Sequence, residues 1–432
     1  MTLVRPAHPG RAIAGLGLST ILMTWAVAPP VSAEPAPAPS VTAGREAGLD
    51  REALRRSLGA IHEAGMYGVY SAVRDGGARW LGAAGVADVR TRRPVDSRMV
   101  HRVGSITKTF TAVAILQQVE RGRVELDAPV ARYLPGLLPD ELGRRTTVRM
   151  LLNHTSGIGD YIAGAFPSLV QGSPQSLDEH RFRRIRPLDL VRFGLEAPRT
   201  GEPGQAWSYS NTNYVIAGLL LEKVTGSGAE AYITRHVIQA AGLRDTSFPR
   251  TPVIPGPHSK AYEALYGYID PPRDYSVYDM SWAGTAGAVV STMEDLNRFY
   301  RELLGGRLLA SAQLAQMRTT VPVTNAQGNV VMNYGLGIYA QDLPCGRFWG
   351  HDGGVFGMGT FSLSGEDGRR QLSLGINLMK YQPLDANGYP QPHAIDHALN
   401  EYVLRALCGS APTAKSAGSV TLFPTQQVLV KR

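Results

Sequence analysis

The chain has 432 residues, 44% hydrophobic and 19% charged, which excludes intrinsic disorder and allows one large domain or two ordinary ones. Its net charge is +8, from 44 basic and 36 acidic residues, but no long basic run occurs, which argues against a nucleic-acid partner. Two cysteines without clustered histidines argue against a structural zinc site.

At the start of the chain, Arg5 and Arg11 flank the onset of an uncharged apolar run from Ala12 to Ala28, and Val31-Ser32-Ala33 supplies small residues for cleavage. Residues 1–33 are therefore predicted to be an export signal cut near Ala33, giving a secreted, extracellular protein. The run is shorter than a typical spanning helix and prolines follow it, so no stable membrane anchor is expected. Residues 34–44 form a Pro/Ala-rich leader. In an exported chain the pair Cys345 and Cys408 argues for one disulfide, with two buried thiols as the alternative.

From Arg45 to Ala64 the pattern is an amphipathic helix. Tyr67 to Asp88 predicts two strands joined at Asp75-Gly76-Gly77. Thr109 to Val119 is a charge-free helix, apolar nearly all round and so buried, with Gly122 placed as its C-cap. About 126–284 is rich in helix patterns and Pro/Gly breaks. A helix is expected within 287–304, starting near Ser291, and a hairpin from Met358 to Met379 turning at Glu366-Asp367-Gly368. A last helix ends at Gly409, and 410–432 reads as a flexible tail. This order predicts an α+β domain over 45–409. Its antiparallel sheet comes from the N- and C-terminal parts (about 45–125 and 285–409), flanked by helices, with a mostly helical region inserted between them.

Three short stretches carry chemistry. In "GSITKTF", Ser105 and Lys108 lie at i and i+3, so a helix starting here presents both on one face, with the serine at the positive end of the helix dipole. A desolvated lysine loses its proton readily and can then activate the serine. Alone this is a weak signal: the chain has six lysines, and about 0.4 such pairs arise by chance at ordinary composition. "WSYSNTNY" adds Tyr209, a phenol able to move protons, and Asn211, able to hold the lysine and a substrate amide together; the same stretch also reads as a turn capped by Asn211 or Asn213. "WGHDGG" adds His351 and the glycines Gly353 and Gly354, which permit close backbone approach, or else a glycine-rich strand end.

Ser-x-x-Lys, Tyr-x-Asn and His-x-Gly in this order resemble the penicillin-recognising serine hydrolases: D-alanyl-D-alanine peptidases, class C β-lactamases and related esterases. The resemblance covers about 48–409 and is strongest to the secreted D-Ala-D-Ala carboxypeptidases of actinomycetes, through "LLNHTSGIGDY", "SWAGTAGAVVSTMEDL", "LPCG" and "ALCG". It implies a β-lactamase/transpeptidase-like fold and an acyl-enzyme on Ser105. Lys108 and Tyr209 would share base and proton-transfer work, Asn211 would bind the acyl side, and His351 would assist the leaving group. The backbone N–H groups of Ser105 and Gly354 would form the oxyanion hole. Trp282 and Phe166 would line the cleft, and Cys345 would pair with Cys408; apart from the resemblance, Asp160 and Tyr161 read as cleft-edge residues beside His154. The implied partners are peptidoglycan-type peptides or small esters and amides, with β-lactams as acylating ligands and no cofactor.

The sequence departs from that pattern where a terminal carboxylate should bind. Asp352, Gly354 and Tyr339 occupy positions where the carboxypeptidases carry two threonines and an arginine. Two like charges about 4 Å apart repel by ~4 kcal/mol at an effective dielectric of about 20, so Asp352 facing the cleft would oppose a carboxylate nearly a thousandfold. Esterase, D-amino-acid amidase or aminopeptidase, and β-lactamase-like activity are the alternatives within the family. A penicillin-binding sensor without turnover is the non-enzymatic one, disfavoured because a binder has no need of Ser105, Lys108 and Tyr209 together. His393 and His397, at i and i+4, lack the glutamate and third ligand of a metalloprotease site, so no metal is expected. His154 reads as a structural turn residue.

Overall fold

The computed structural model describes residues 48–324 and 328–409; the predicted export signal, the Pro/Ala-rich leader and the tail beyond Gly409 lie outside the described residues. Helix α1 (Arg51–Glu63) starts at Asp50, whose side chain caps the Ala53 N–H. It leads into the hairpin β1 (Gly68–Asp75) and β2 (Ala78–Asp88), turning where the glycine pair stands, and a short β3 (Arg93–Pro94). Helix α2 (Thr107–Glu120) is buried on every face from Thr107 to Gln118. Its hydroxyls are satisfied locally: Thr109 donates to the Gly337 carbonyl at 2.7 Å and Thr111 to that of Thr285 at 2.8 Å.

The middle of the chain is mostly short helices, the longest being α3 (Asn211–Thr225). Its N-cap is Ser210, so Asn211 is already helical and neither Asn211 nor Asn213 caps it. Helix α4 (Met293–Leu304) is capped by Thr292, one residue beyond the expected serine. Six strands of the main sheet follow: β4 (Val321–Thr324), β5 (Val330–Tyr334), β6 (Tyr339–Leu343), β7 (Gly346–Val355), β8 (Met358–Gly365) and β9 (Arg370–Ile376). Helix α5 (Ala394–Cys408) ends at Gly409 in the left-handed conformation. His393 opens it as a capping box, its Nδ1 accepting the Ile395 N–H, so this histidine serves the helix start.

The main sheet has nine strands in the order β3-β2-β1-β9-β8-β7-β6-β5-β4, with antiparallel neighbours throughout. The first hairpin thus pairs with the last strand, β1 on β9, as the split of strand material between the two chain ends predicts. Alternation sends Tyr70 and Ala72 into the core that holds α2 and α4, and Val69 and Val73 into the core beneath α1 and α5. Both faces are covered, which is why β1 reads as an almost continuous buried run. The Cys345–Cys408 disulfide ties the β6–β7 turn to the end of α5, with Cα atoms 5.4 Å apart.

One detail of register positions the site. Strand β6 begins at Tyr339, opposite Gly350, so residues 351–355 of β7 have a strand neighbour only on the β8 side. That open edge is where the start of α2 packs.

Candidate active site

Ser105 lies on a short 3₁₀ turn, Gly104–Ile106, that runs into α2. Gly104 takes φ +53°, and a Cβ there would stand 2.7 Å from the Gly354 nitrogen; a Cβ on Gly353 would stand 1.9 Å from the Val103 carbonyl oxygen. Glycine is required at both places because two backbones touch. This contact brings the backbone of Ser105 beside that of Gly354, and both residues line one cleft.

The helical spacing brings Lys108 Nζ to 3.1 Å from Ser105 Oγ. Lys108 is fully buried; its Nζ also donates to Asn211 Oδ1 at 2.7 Å and to the Ala286 carbonyl at 2.8 Å. Burial pushes its ammonium down to about 7, against the opposing pull of the Asp160 and Asp352 carboxylates. The Tyr209 hydroxyl donates to Ser105 Oγ at 2.7 Å, so the serine oxygen is shared by both proton carriers. Lys108 Nζ also stands over the Tyr209 ring, 4.8 Å from its centroid.

Behind these groups lie Asp160, expected at the cleft edge but set behind Asn211, and His154, expected as a structural residue. Asp160 Oδ2 accepts from both the backbone N–H and the Nδ2 of Asn211, each at 2.8 Å. This fixes the amide with its oxygen toward Lys108. Asp160 is partly buried, and desolvation raises its pKa, while its N–H donors and Lys108 favour the carboxylate. His154, at φ +62°, lays its ring 4.3 Å from that of Tyr209 and accepts the Ser210 N–H at Nδ1. Burial, then Lys108 and His351, hold its pKa well below the ordinary value, so it is a neutral packing partner.

The third motif is placed differently from expectation. His351 does not line the cleft. It is fully buried, with Nδ1 on the Asp352 carbonyl and Nε2 2.9 Å from the Tyr334 hydroxyl. The carbonyl can only accept, so Nδ1 carries the proton and Nε2 accepts from Tyr334. Burial lowers its pKa to about 3, so it is a neutral, interior histidine rather than an acid facing the leaving group. Asp352 and Tyr339 are likewise fully buried and absent from the cleft wall. After burial, the Asp352 carboxylate is the largest influence raising the Tyr339 phenol. The expected clash between Asp352 and a substrate carboxylate is thus removed, because that charge points into the protein. Gly353 packs against the serine turn instead of the substrate. Trp282 does line the cleft, whereas Phe166 stands behind it, edge-to-face with Trp282 at 5.5 Å and with Phe356 at 5.3 Å. Phe356 and Lys380 are wall residues that the motifs did not point to.

Residues 50–365 match the protein family described as Beta-lactamase. The chain belongs to that family. Its members include proteins of several activities. Penicillin-binding protein 4* of Bacillus subtilis is 28% identical over 334 residues, covering 74% of this chain and 70% of that protein. A D-aminopeptidase of Cereibacter sphaeroides is 28% identical over 336 residues, 76% of this chain but only 60% of that longer protein. Among solved structures, a D-stereospecific amidohydrolase from Streptomyces superposes with a TM-score of 0.73 at 37% identity, covering 84% of this chain and all of that one. The sheet and helix arrangement described above is the β-lactamase-like fold, and the chain is a serine hydrolase of this family.

Proposed function

We propose that the protein cleaves amide bonds at D-amino acid residues through an acyl-enzyme on Ser105, with D-Ala-D-Ala-type wall peptides as the preferred substrate type. The observation that carries this reading is the double contact on one oxygen: Ser105 Oγ lies 3.1 Å from Lys108 Nζ and 2.7 Å from the Tyr209 hydroxyl. With a pKa near 7, Lys108 is partly neutral at physiological pH and takes the serine proton as attack begins. The oxyanion forms against the backbone N–H groups of Ser105 and Gly354. Tyr209 hands a proton to the departing nitrogen, and water then hydrolyses the acyl-serine. Asn211, clamped by Asp160, holds Lys108 and offers its amide edge to the acyl group. The likeness to a D-stereospecific amidohydrolase and a D-aminopeptidase supports the choice of D-configured amides over other substrates. The proposed setting is extracellular, on the strength of the export pattern in residues 1–33.

The test is mass spectrometry of the protein after incubation with a fluorescent penicillin, a D-amino acid amide and an N-acyl-D-Ala-D-Ala peptide. An adduct on Ser105 and amine release, both abolished in Ser105→Ala, are expected. Wild type and Ser105→Ala behaving alike with all three would defeat the proposal.

A further inference from the structure

Among the described residues lining the cleft, Lys380 is the one charged side chain. Its position follows from sheet register. Ile376 pairs with Gly359, which pairs with Gly354, so these three lie level across β9, β8 and β7. Lys380 is four residues further on, beyond the end of β7 and beside Phe356, with Nζ 5.3 Å from the centre of that ring.

Three observations show a built feature. Lys380 holds φ +50°, a left-handed conformation that L side chains other than Asn and Asp seldom adopt. Its ammonium donates to Glu263 Oε2 at 3.0 Å, and its side chain is only 14% exposed. Glu263 is wholly buried and saturated: Oε1 accepts the Leu265 N–H at 2.9 Å and Oε2 the Gly357 N–H at 3.1 Å. The carboxylate is spent on the protein and does not face the cleft. Lys380 has three N–H donors, and Glu263 takes one of them. Of the pair, Lys380 lines the cleft and Glu263 does not.

We infer that Lys380 is a specificity-determining residue that binds a carboxylate of the substrate at the Phe356 end of the cleft. This rests on the acyl-enzyme reading given above. It also accounts for the rebuilt third motif, since a cation from the segment after β9 compensates for donors that Asp352 and Tyr339 do not supply. A substrate with a free ammonium at that end would be disfavoured.

The experiment uses the protein and two matched probe pairs: N-acetyl-D-Ala-D-Ala against its C-terminal amide, and N-succinyl-D-alanine amide against N-succinamoyl-D-alanine amide. Each pair differs by one carboxylate, on the leaving side and the acyl side respectively. In a Ser105→Ala background, calorimetry is expected to show one acid binding about 10- to 100-fold tighter than its neutral partner, the range of one charge-assisted contact. Lys380→Met should erase that ratio while leaving the neutral probe within about threefold, and Lys380→Arg should restore most of it. Equal acid-to-neutral ratios with and without Lys380 would overturn the assignment. Absence of a Ser105 adduct in the catalytically intact protein would instead defeat the acyl-enzyme reading, because the binding measurement needs no turnover.

Discussion

Replacing Asp160 by asparagine tests the electrostatics of the base directly. Two hydrogen bonds of 2.8 and 2.7 Å in series across the Asn211 amide put the carboxylate about 7 Å from Lys108 Nζ, and at an effective dielectric of about 20 this attraction is ~2.4 kcal/mol, or roughly 1.7 pKa units. The competent form of Lys108 is neutral, so kcat/KM rises as pH climbs through its pKa of about 7. Removing the anion destabilises the ammonium, the lysine releases its proton more easily, and the acidic limb moves down. The expected limb for Asp160→Asn lies between about pH 5 and about pH 6. The assay is the pH profile of kcat/KM for a small neutral ester, with limb position read separately from height because Asn211 also loses its clamp. A limb that stays near its wild-type position, or moves up, would refute Lys108 as the group whose deprotonation starts the reaction.

Asp352→Asn should shift the same limb in the same direction by less, since Asp352 ranks after Asp160 among the groups that raise Lys108. Lys108→Arg keeps the charge but cannot shed its proton, so the Ser105 adduct should vanish in mass spectrometry while thermal unfolding stays near wild type. Gly353→Ala places a methyl 1.9 Å from the Val103 carbonyl oxygen, so the strand must move away from the serine turn; a loss of about 2 kcal/mol in stability and of acylation is expected from denaturant melts and adduct formation. Cys408→Ala opens a loop of 63 residues, and a drop of up to ~4 kcal/mol in unfolding free energy should appear in denaturant titrations.

The nucleophile and its base were legible because both lie in one helical turn, where spacing alone brings two side chains together. Tyr209 and Asn211 were legible as a motif, though their distances to Ser105 and Lys108 depend on α3 packing against α2. The strands split between the chain ends were legible from period-two patterns around glycine turns. His351, Asp352 and Tyr339 were misplaced, because position along a strand does not reveal which groups the neighbouring strands cover. Here β5 and β6 bring Tyr334 and Tyr339 against His351 and Asp352 and enclose them. Lys380 carried no motif, and Asp160, which the sequence placed at the cleft edge, sits instead behind Asn211.

The sequence by itself determined the chemistry: a serine, a lysine one turn later, a tyrosine with its asparagine, and glycines where two backbones must touch. Those requirements are local and leave their mark in residue type and spacing. The tertiary structure decided which charges face the substrate. Asp352 is turned inward against Tyr339, and Lys380 is carried to the cleft by the pairing of β9, β8 and β7. Burial and charge neighbourhood are sums over residues far apart in the chain, so no short stretch of sequence contains them.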